Sequence, residues 1–350
     1  MTRLPLIFLM TAVITSVNAA EDVPLERSIK DWIIGCDNTR ACTAIGAVPV
    51  RDDIGISTFS LRVTREAGPQ GDLRVGVFSY NAARGQPTLD GKPLKNRFEP
   101  GELKEGDVPE VFALTGTKAN ALIAELRNGR ELILPIEDGT SVASLNGMSA
   151  ALLLIDSVQG RVGKQDALIS KGQEPGNSVP QAPAAPSVPT WQAPVALTPD
   201  RAKEVADAVV AATRKEWQED LSEGAAPEAK AFALSADQAL VIIETSCGAY
   251  NCFYNIYQTP LDHPEQARTA LVAEVPNLPE RVPHGVVDFD PATGELSSEA
   301  IAMGMGGCGT ALRWRYDGNG FALTHAAEMN TCMGLEQVYW PVLWRTEASR

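Results

Sequence analysis

The amino-acid sequence predicts an α+β, mostly antiparallel β protein: two β-rich domains, each with one or two helices, joined by a Pro-rich linker. Three observations predict it. Six prolines between Gln173 and Leu197 interrupt the chain near its middle. Short β-branched and aromatic stretches, separated by Gly/Pro/Asn/Asp turns, recur on both sides of that run. Helical periodicity is confined to three segments. The length, 350 residues, suggests two domains. A content of 44% hydrophobic and 21% charged residues suits a chain that buries a core.

In chain order, residues 1–19 have the form of a secretory signal peptide. Arg3 is the positive start, Leu4 to Val13 the apolar stretch, and Val17 and Ala19 the small residues before cleavage after Ala19. The expected address is the periplasm. No later run approaches the roughly 18–20 apolar residues of a membrane-spanning helix, so no membrane span is expected in the mature chain.

The N-terminal domain is expected over 20–172. Ile56–Arg65 and Leu73–Tyr80 read as strands joined at Gly68-Pro69-Gln70-Gly71, and Leu132–Ile136 as a further strand. Thr117–Asn128 has a one-sided apolar stripe and ends at Gly129, a natural residue to follow a helix. Gly147–Gln159 repeats apolar residues at helical spacing. The linker, 173–197, favours extended polyproline conformation because proline fixes its own φ and cannot donate a backbone hydrogen bond. Trp191 stands out within it as a residue that docks onto a domain surface.

The C-terminal domain is expected over 198–350. Thr198-Pro199 caps a helix carrying Ala202, Val205, Val209, Ala212 and Trp217. Ala239–Glu244 and Val286–Phe289 read as strands, the latter leading into a turn at Asp290–Gly294. Leu312–Tyr316 and Phe321–His325 flank Asp317-Gly318-Asn319-Gly320, a strong hairpin signal. Tyr339, Trp340 and Trp344 read as strand aromatics.

Six cysteines, Cys36, Cys42, Cys247, Cys252, Cys308 and Cys332, follow the export signal. An even count in an exported chain reads as disulfides. Pairing within domains leaves Cys36–Cys42 and three arrangements of the other four, of which Cys247–Cys252 with Cys308–Cys332 is favoured. The spacings suit neither a zinc knuckle nor a C-x-x-C redox motif well. C-x4-C at Cys247 comes nearest to a metal-binding spacing.

Charge narrows the classes of partner. The chain holds 30 basic and 44 acidic residues, a net of −14. This balance argues against nucleic acid. Residues 20–172 hold 18 basic and 21 acidic side chains, whereas 197–350 hold 11 and 22. The second half carries the acidity, and its expected partner is a protein or cell-envelope component, preferably basic.

No catalytic motif emerges. Gly304-Met305-Gly306-Gly307-Cys308-Gly309 has the letters of a dinucleotide fingerprint, but a strand rather than a helix is expected after it, so no cofactor is expected. Asp288, Asp290 and Glu295 lack the twelve-residue calcium-loop ladder. Glu244-Thr245-Ser246-Cys247 sets a hydroxyl near acids without a nucleophile elbow. His263, His284 and His325 lie in unremarkable contexts. Arg84, Lys92, Lys95 and Arg97 form a modest basic cluster in a loop.

The string Lys30-Asp31-Trp32-Ile33-Ile34-Gly35-Cys36-Asp37-Asn38-Thr39-Arg40-Ala41-Cys42 resembles the opening of the bacterial domain of unknown function 1176 family. So do Leu145–Asp156, Gln159-Gly160-Arg161-Val162-Gly163, Gly307-Cys308-Gly309, Trp314, Cys332 and Trp340-Pro341. The resemblance spans nearly all of the mature chain and implies export and a six-cysteine framework, with no reaction or ligand. The N-terminal half is also distantly similar to the invasion-associated locus B family. The expected function is a non-enzymatic binding or envelope-interaction protein. The alternatives are an envelope-directed hydrolase using paired carboxylates and a thiol–disulfide enzyme using Cys247 and Cys252.

Overall fold

β-Branched and aromatic stretches form antiparallel strands throughout the computed structural model, which describes residues 22–46, 59–101, 110–221, 226–278, 283–302, 307–332 and 334–347. The signal-peptide segment, the first three residues of the Ile56–Arg65 strand and Gly304–Gly306 lie outside these. The described strands form four sheets, so the α+β, mostly antiparallel expectation holds.

In the N-terminal half the strands are β1 (Leu25–Ile29), β2 (Trp32–Cys36), β3 (Cys42–Gly46), β4 (Phe59–Arg65), β5 (Leu73–Ser79), β6 (Thr88–Leu89), β7 (Lys92–Pro93), β8 (Glu99–Pro100), β9 (Glu110–Thr115), β10 (Glu131–Ile136) and β11 (Gly139–Ser144). One sheet runs β1-β2-β3-β4-β5-β9-β8 and a smaller one runs β11-β10-β6-β7. Helices α1 (Gly116–Leu126) and α2 (Met148–Val158) bury Leu122, Ile123, Leu126, Leu152 and Ile155 against these sheets. Both helices fall within two residues of their sequence-based limits, because their apolar stripes decide what is buried.

The C-terminal half opens with α3 (Pro199–Ala212), whose Thr198 hydroxyl accepts from the Arg201 N–H, and a short turn, α4 (Arg214–Trp217). Its strands are β12 (Glu228–Ala233), β13 (Gln238–Cys247), β14 (Cys252–Pro260), β15 (Arg268–Thr269), β16 (Val286–Asp290), β17 (Glu295–Ile301), β18 (Gly309–Tyr316), β19 (Phe321–Met329) and β20 (Val342–Arg345). They form two sheets, β12-β13-β14-β15 and β16-β17-β18-β19-β20. Leu240, Ile242 and Ile256 of the first meet Phe289, Leu296, Leu312 and Trp314 of the second. The opposite face of the first sheet, Val241, Ile243 and Tyr257, lies under Val205 and Val209 of α3. One expectation is corrected: Tyr339 ends a 3-10 turn and Trp340 follows it, leaving Trp344 as the aromatic on a strand. Their indole and phenol rings serve a different junction.

That junction joins the halves. Strand β2 is buried on both faces, as its unbroken Trp-Ile-Ile run suits. Trp32 and Ile34 enter the N-terminal core. Ile33, with Ile45 and Phe78, packs against Cys308, Ala327, Met329, Tyr339 and Trp340. The Phe78 and Tyr339 ring centroids are 4.5 Å apart. A Cβ on Gly35 would stand 2.5 Å from the Pro341 Cβ, so a side chain there would hold the halves apart. Asn38 and Arg345 exchange two hydrogen bonds, 3.0 Å and 2.9 Å long, and Arg345 pairs with the fully buried Asp37.

The proline segment is anchored on both halves. Val179 is buried, Pro180 lies on Gly160, and the Pro186 carbonyl accepts from the Glu347 N–H. Trp191 stands edge-on to Phe289 and Tyr316, and its indole N–H donates to the Pro291 carbonyl at 3.1 Å.

Candidate functional site

Strands put alternate side chains on opposite faces, and this places the site at one end of the C-terminal sandwich. On β12, Glu228, Lys230 and Phe232 share the inner face. Ile242 and Glu244 of β13 share it too, as do Ile256 and Tyr254 of β14. Register aligns Glu228 with Glu244 and Glu244 with Tyr254. Each strand therefore ends its apolar inner row in a polar residue, and beside that end Cys252 and Gly285 exchange two backbone hydrogen bonds, each 2.9 Å, that tie β14 to the start of β16. The resulting groove, about 410 Å³, has Phe232, Ile242 and Val287 at its base and Glu228, Glu244 and Asp288 at its rim. Lys230 is the basic side chain lining it among the described residues.

Tyr254 ties the rim together. Its hydroxyl lies beside the Glu244 carboxylate and the Val287 backbone. Burial first, and the Glu244 charge second, push its pKa up, so it stays a neutral phenol. Glu228 and Glu244 are like charges directly opposite each other on paired strands, an arrangement that costs stability.

A β-bulge brings the Cys247–Cys252 disulfide onto the same face. The register shifts between Glu244 and Ser246. The extra residue turns Cys247 to the side Glu244 occupies, opposite Cys252. A Glu244 carboxylate oxygen lies 3.1 Å from the Cys247 sulfur. A carboxylate so placed disfavours a thiolate on Cys247 as an attacking nucleophile, which weighs against the pair working as a thiol–disulfide enzyme, though an external reductant can still open it. The remaining pairs are Cys36–Cys42, closing the β2–β3 hairpin, and Cys308–Cys332, within the core between the halves.

Other residues singled out in the sequence are dispersed. Asp290 is taken up by its own turn, accepting from the Ala292 N–H and the Thr293 hydroxyl; the Thr293 bond is the chief cause of its lowered pKa. Glu295 faces Arg313 and Arg315, each at 3.9 Å. Asp288 alone of that trio reaches the groove. His263 is exposed beside Glu265, His284 brackets Ser298 through its backbone, and His325 lies on β19. Burial, then Arg313 and Arg345, lower the His325 pKa to about 4. Gly309 begins a strand, so no helix N-terminus follows the glycine motif. Arg84 pairs with Glu137, and the backbone at Lys95 is held by Glu125, while Lys92 and Arg97 are exposed.

A larger groove of about 850 Å³ lies in the N-terminal half between α2 and the proline segment. Its cations are engaged within the chain: Arg40 donates to the Val158 carbonyl at 2.6 Å and Lys164 pairs with Glu174. The acidic groove is the better candidate because its charges are left largely unmatched. Sequence reading flagged Glu244 and Asp288 but passed over Glu228, Lys230 and Tyr254. The alternation Glu-Ala-Lys-Ala-Phe-Ala was the available signal.

A family model described as "Protein of unknown function (DUF1176)" matches residues 26–347. "Uncharacterized protein YpfG" of Escherichia coli (strain K12) is 30% identical over 363 residues, covering 98% of this chain and 99% of the relative. No solved structure matches. The chain belongs to the DUF1176 family.

Proposed function

We propose that this chain is a non-enzymatic periplasmic binding protein whose C-terminal half offers the acidic groove to a basic partner in the cell envelope. Two domains fastened together by Ile33, Ile45, Tyr339 and Trp340 would serve as its rigid frame. The secretory opening of the sequence and the three disulfides support the address. The observation that carries the reading is the rim: the Glu228 and Glu244 carboxylates above an apolar floor, with Asp288 on the adjoining edge strand and one lysine in reply. Such a site suits a ligand with an apolar body and a cationic end, drawn in by charge and held by burial. Fluorescence titration with lysine-rich amphipathic peptides and their glutamate counterparts tests it. Binding of the basic set alone, weakened by salt and by Glu228→Lys, is the expected result. Equal binding of both sets would overturn the reading.

A second reading rests on the register pairing of Glu228 with Glu244, since adjacent carboxylates can act as acid and base in hydrolysis. It predicts turnover of an envelope glycan that Glu228→Gln and Glu244→Gln each abolish. No turnover by the unaltered protein on a panel of such glycans would eliminate it.

A further inference from the structure

Two sulfurs and a carboxylate converge at the rim of the groove. A Glu244 carboxylate oxygen and the Sγ atoms of Cys247 and Cys252 all lie within 4.8 Å of one another, the one such convergence among the described residues. We propose that reduction of Cys247–Cys252 turns this corner into a binding site for a thiophilic divalent cation of the zinc class, so that the groove carries a redox-gated metal site. The proposal rests on the geometry of this corner and is independent of what the groove binds.

The donor set fits that ion. Zinc takes cysteine sulfur at about 2.3 Å and carboxylate oxygen at about 2.0–2.2 Å, in tetrahedral geometry. Ligand atoms around it therefore stand roughly 3.3–3.8 Å apart, a spacing these three reach once the sulfurs separate. The cysteines are register partners with Cα atoms 4.0 Å apart, and the bulge keeps Glu244 on their side. Charge points the same way. Two thiolates beside Glu244 and Glu228 would repel one another, and a divalent cation offsets that charge while deprotonating the thiols. Cys247 is exposed, which gives reductant and ion an approach. Cys36, Cys42 and Cys308 are buried, which shields the other two pairs.

The chemistry balances with a dithiol as reductant. One of its thiolates attacks the Cys247 sulfur, and the S–S electron pair leaves on Cys252. The second thiol of the reductant resolves the mixed disulfide. Two electrons pass to the chain, the dithiol departs as its own disulfide, and the chain holds two thiols. Binding one divalent cation then releases two protons.

The test uses the whole mature protein, reduced anaerobically with a phosphine, with opening of Cys247–Cys252 confirmed by alkylation and mass spectrometry. Cadmium is followed by thiolate charge-transfer absorption and zinc by equilibrium metal counting. One ion per chain is expected in the reduced protein and none in the oxidised protein. The Cys247→Ser/Cys252→Ser double variant should lose the ion. Glu244→Gln, which keeps the disulfide, should weaken binding about tenfold or more after reduction. Equal uptake in reduced and oxidised protein, uptake retained in the serine variant, or affinity unmoved by Glu244→Gln would each overturn the proposal.

Discussion

Around Arg161 in the N-terminal half, charge is answered inside the chain; around Glu244 in the C-terminal half, it is left to the solvent. Arg161 is fully buried, and its guanidinium donates to Gln159, to Asp166 and to the Gly68 carbonyl. Arg65 joins it on Asp166 at 2.9 Å. Burial pushes the Asp156 carboxyl up, while backbone N–H groups of Leu168, Ile169 and Ser170 hold it down. Gln159 in turn donates to the Arg40 and Arg65 carbonyls. Two arginines and two aspartates thus cancel and pin the loop after α2 to the β4–β5 turn. In the groove, Glu228 and Glu244 face each other with Lys230 nearby, and the fold gains little from them. Buried charge that is matched holds structure; rim charge that is unmatched is available to a partner.

Four measurements would break or sharpen that contrast. Arg161→Leu should cost most, about 3–5 kcal/mol in urea unfolding, because it leaves the buried Gly68 carbonyl and Gln159 side-chain oxygen without their donor and Asp166 with Arg65 as its remaining partner. A loss below 1 kcal/mol would mean the network is ornamental and the contrast false. Protonation gives the next effect. Burial and two arginines hold the His325 pKa near 4 in the fold, below the ordinary value of about 6.5. As pH falls from about 6.5 towards 4, the unfolded chain takes up a proton that the folded chain refuses. Stability should drop over that window, by on the order of 2–3 kcal/mol, and His325→Gln should flatten the slope.

Arg345→Leu is an intermediate case, since Arg345 is 37% exposed but its partner Asp37 is fully buried. About 2 kcal/mol should be lost, with the junction between the halves loosening first in hydrogen exchange at β2. The smallest effect belongs to the groove. Glu228→Gln and Glu244→Gln should each change stability by no more than about 0.5 kcal/mol, in the stabilising direction if the like-charge pair is strained, while lowering affinity for basic peptides. A large destabilisation would show that the rim is structural after all.

Legibility in the sequence followed the range over which the physics acts. The helices at Gly116–Leu126, Met148–Val158 and Pro199–Ala212 were readable because 3.6-residue periodicity, and for the third the Thr198-Pro199 cap, is written within a dozen residues. The Asp317–Gly320 hairpin was readable because Gly318 takes a positive φ, 100°. Tyr339 and Trp340 were misassigned because an aromatic-rich stretch carries the same letters whether it lies in a strand or fills a junction. Glu228 and Tyr254 were passed over because, 26 residues apart, they meet only through the register of β12, β13 and β14.

The sequence by itself determined the α+β, mostly antiparallel class, the limits of α1 and α2, the start of α3 (though not its end at Ala212, short of Trp217) and the acidic bias of the second half, since each depends on neighbouring residues or on simple sums of charge. Only the tertiary structure decided that the halves share a core through Ile33, Tyr339 and Trp340, that Trp191 docks on Phe289 and Tyr316, and that one bulge sets Cys247 beside Glu244. Those outcomes depend on which faces meet after the chain has folded. Face-to-face pairing is settled by packing and register across long separations, and no local pattern of residues encodes it.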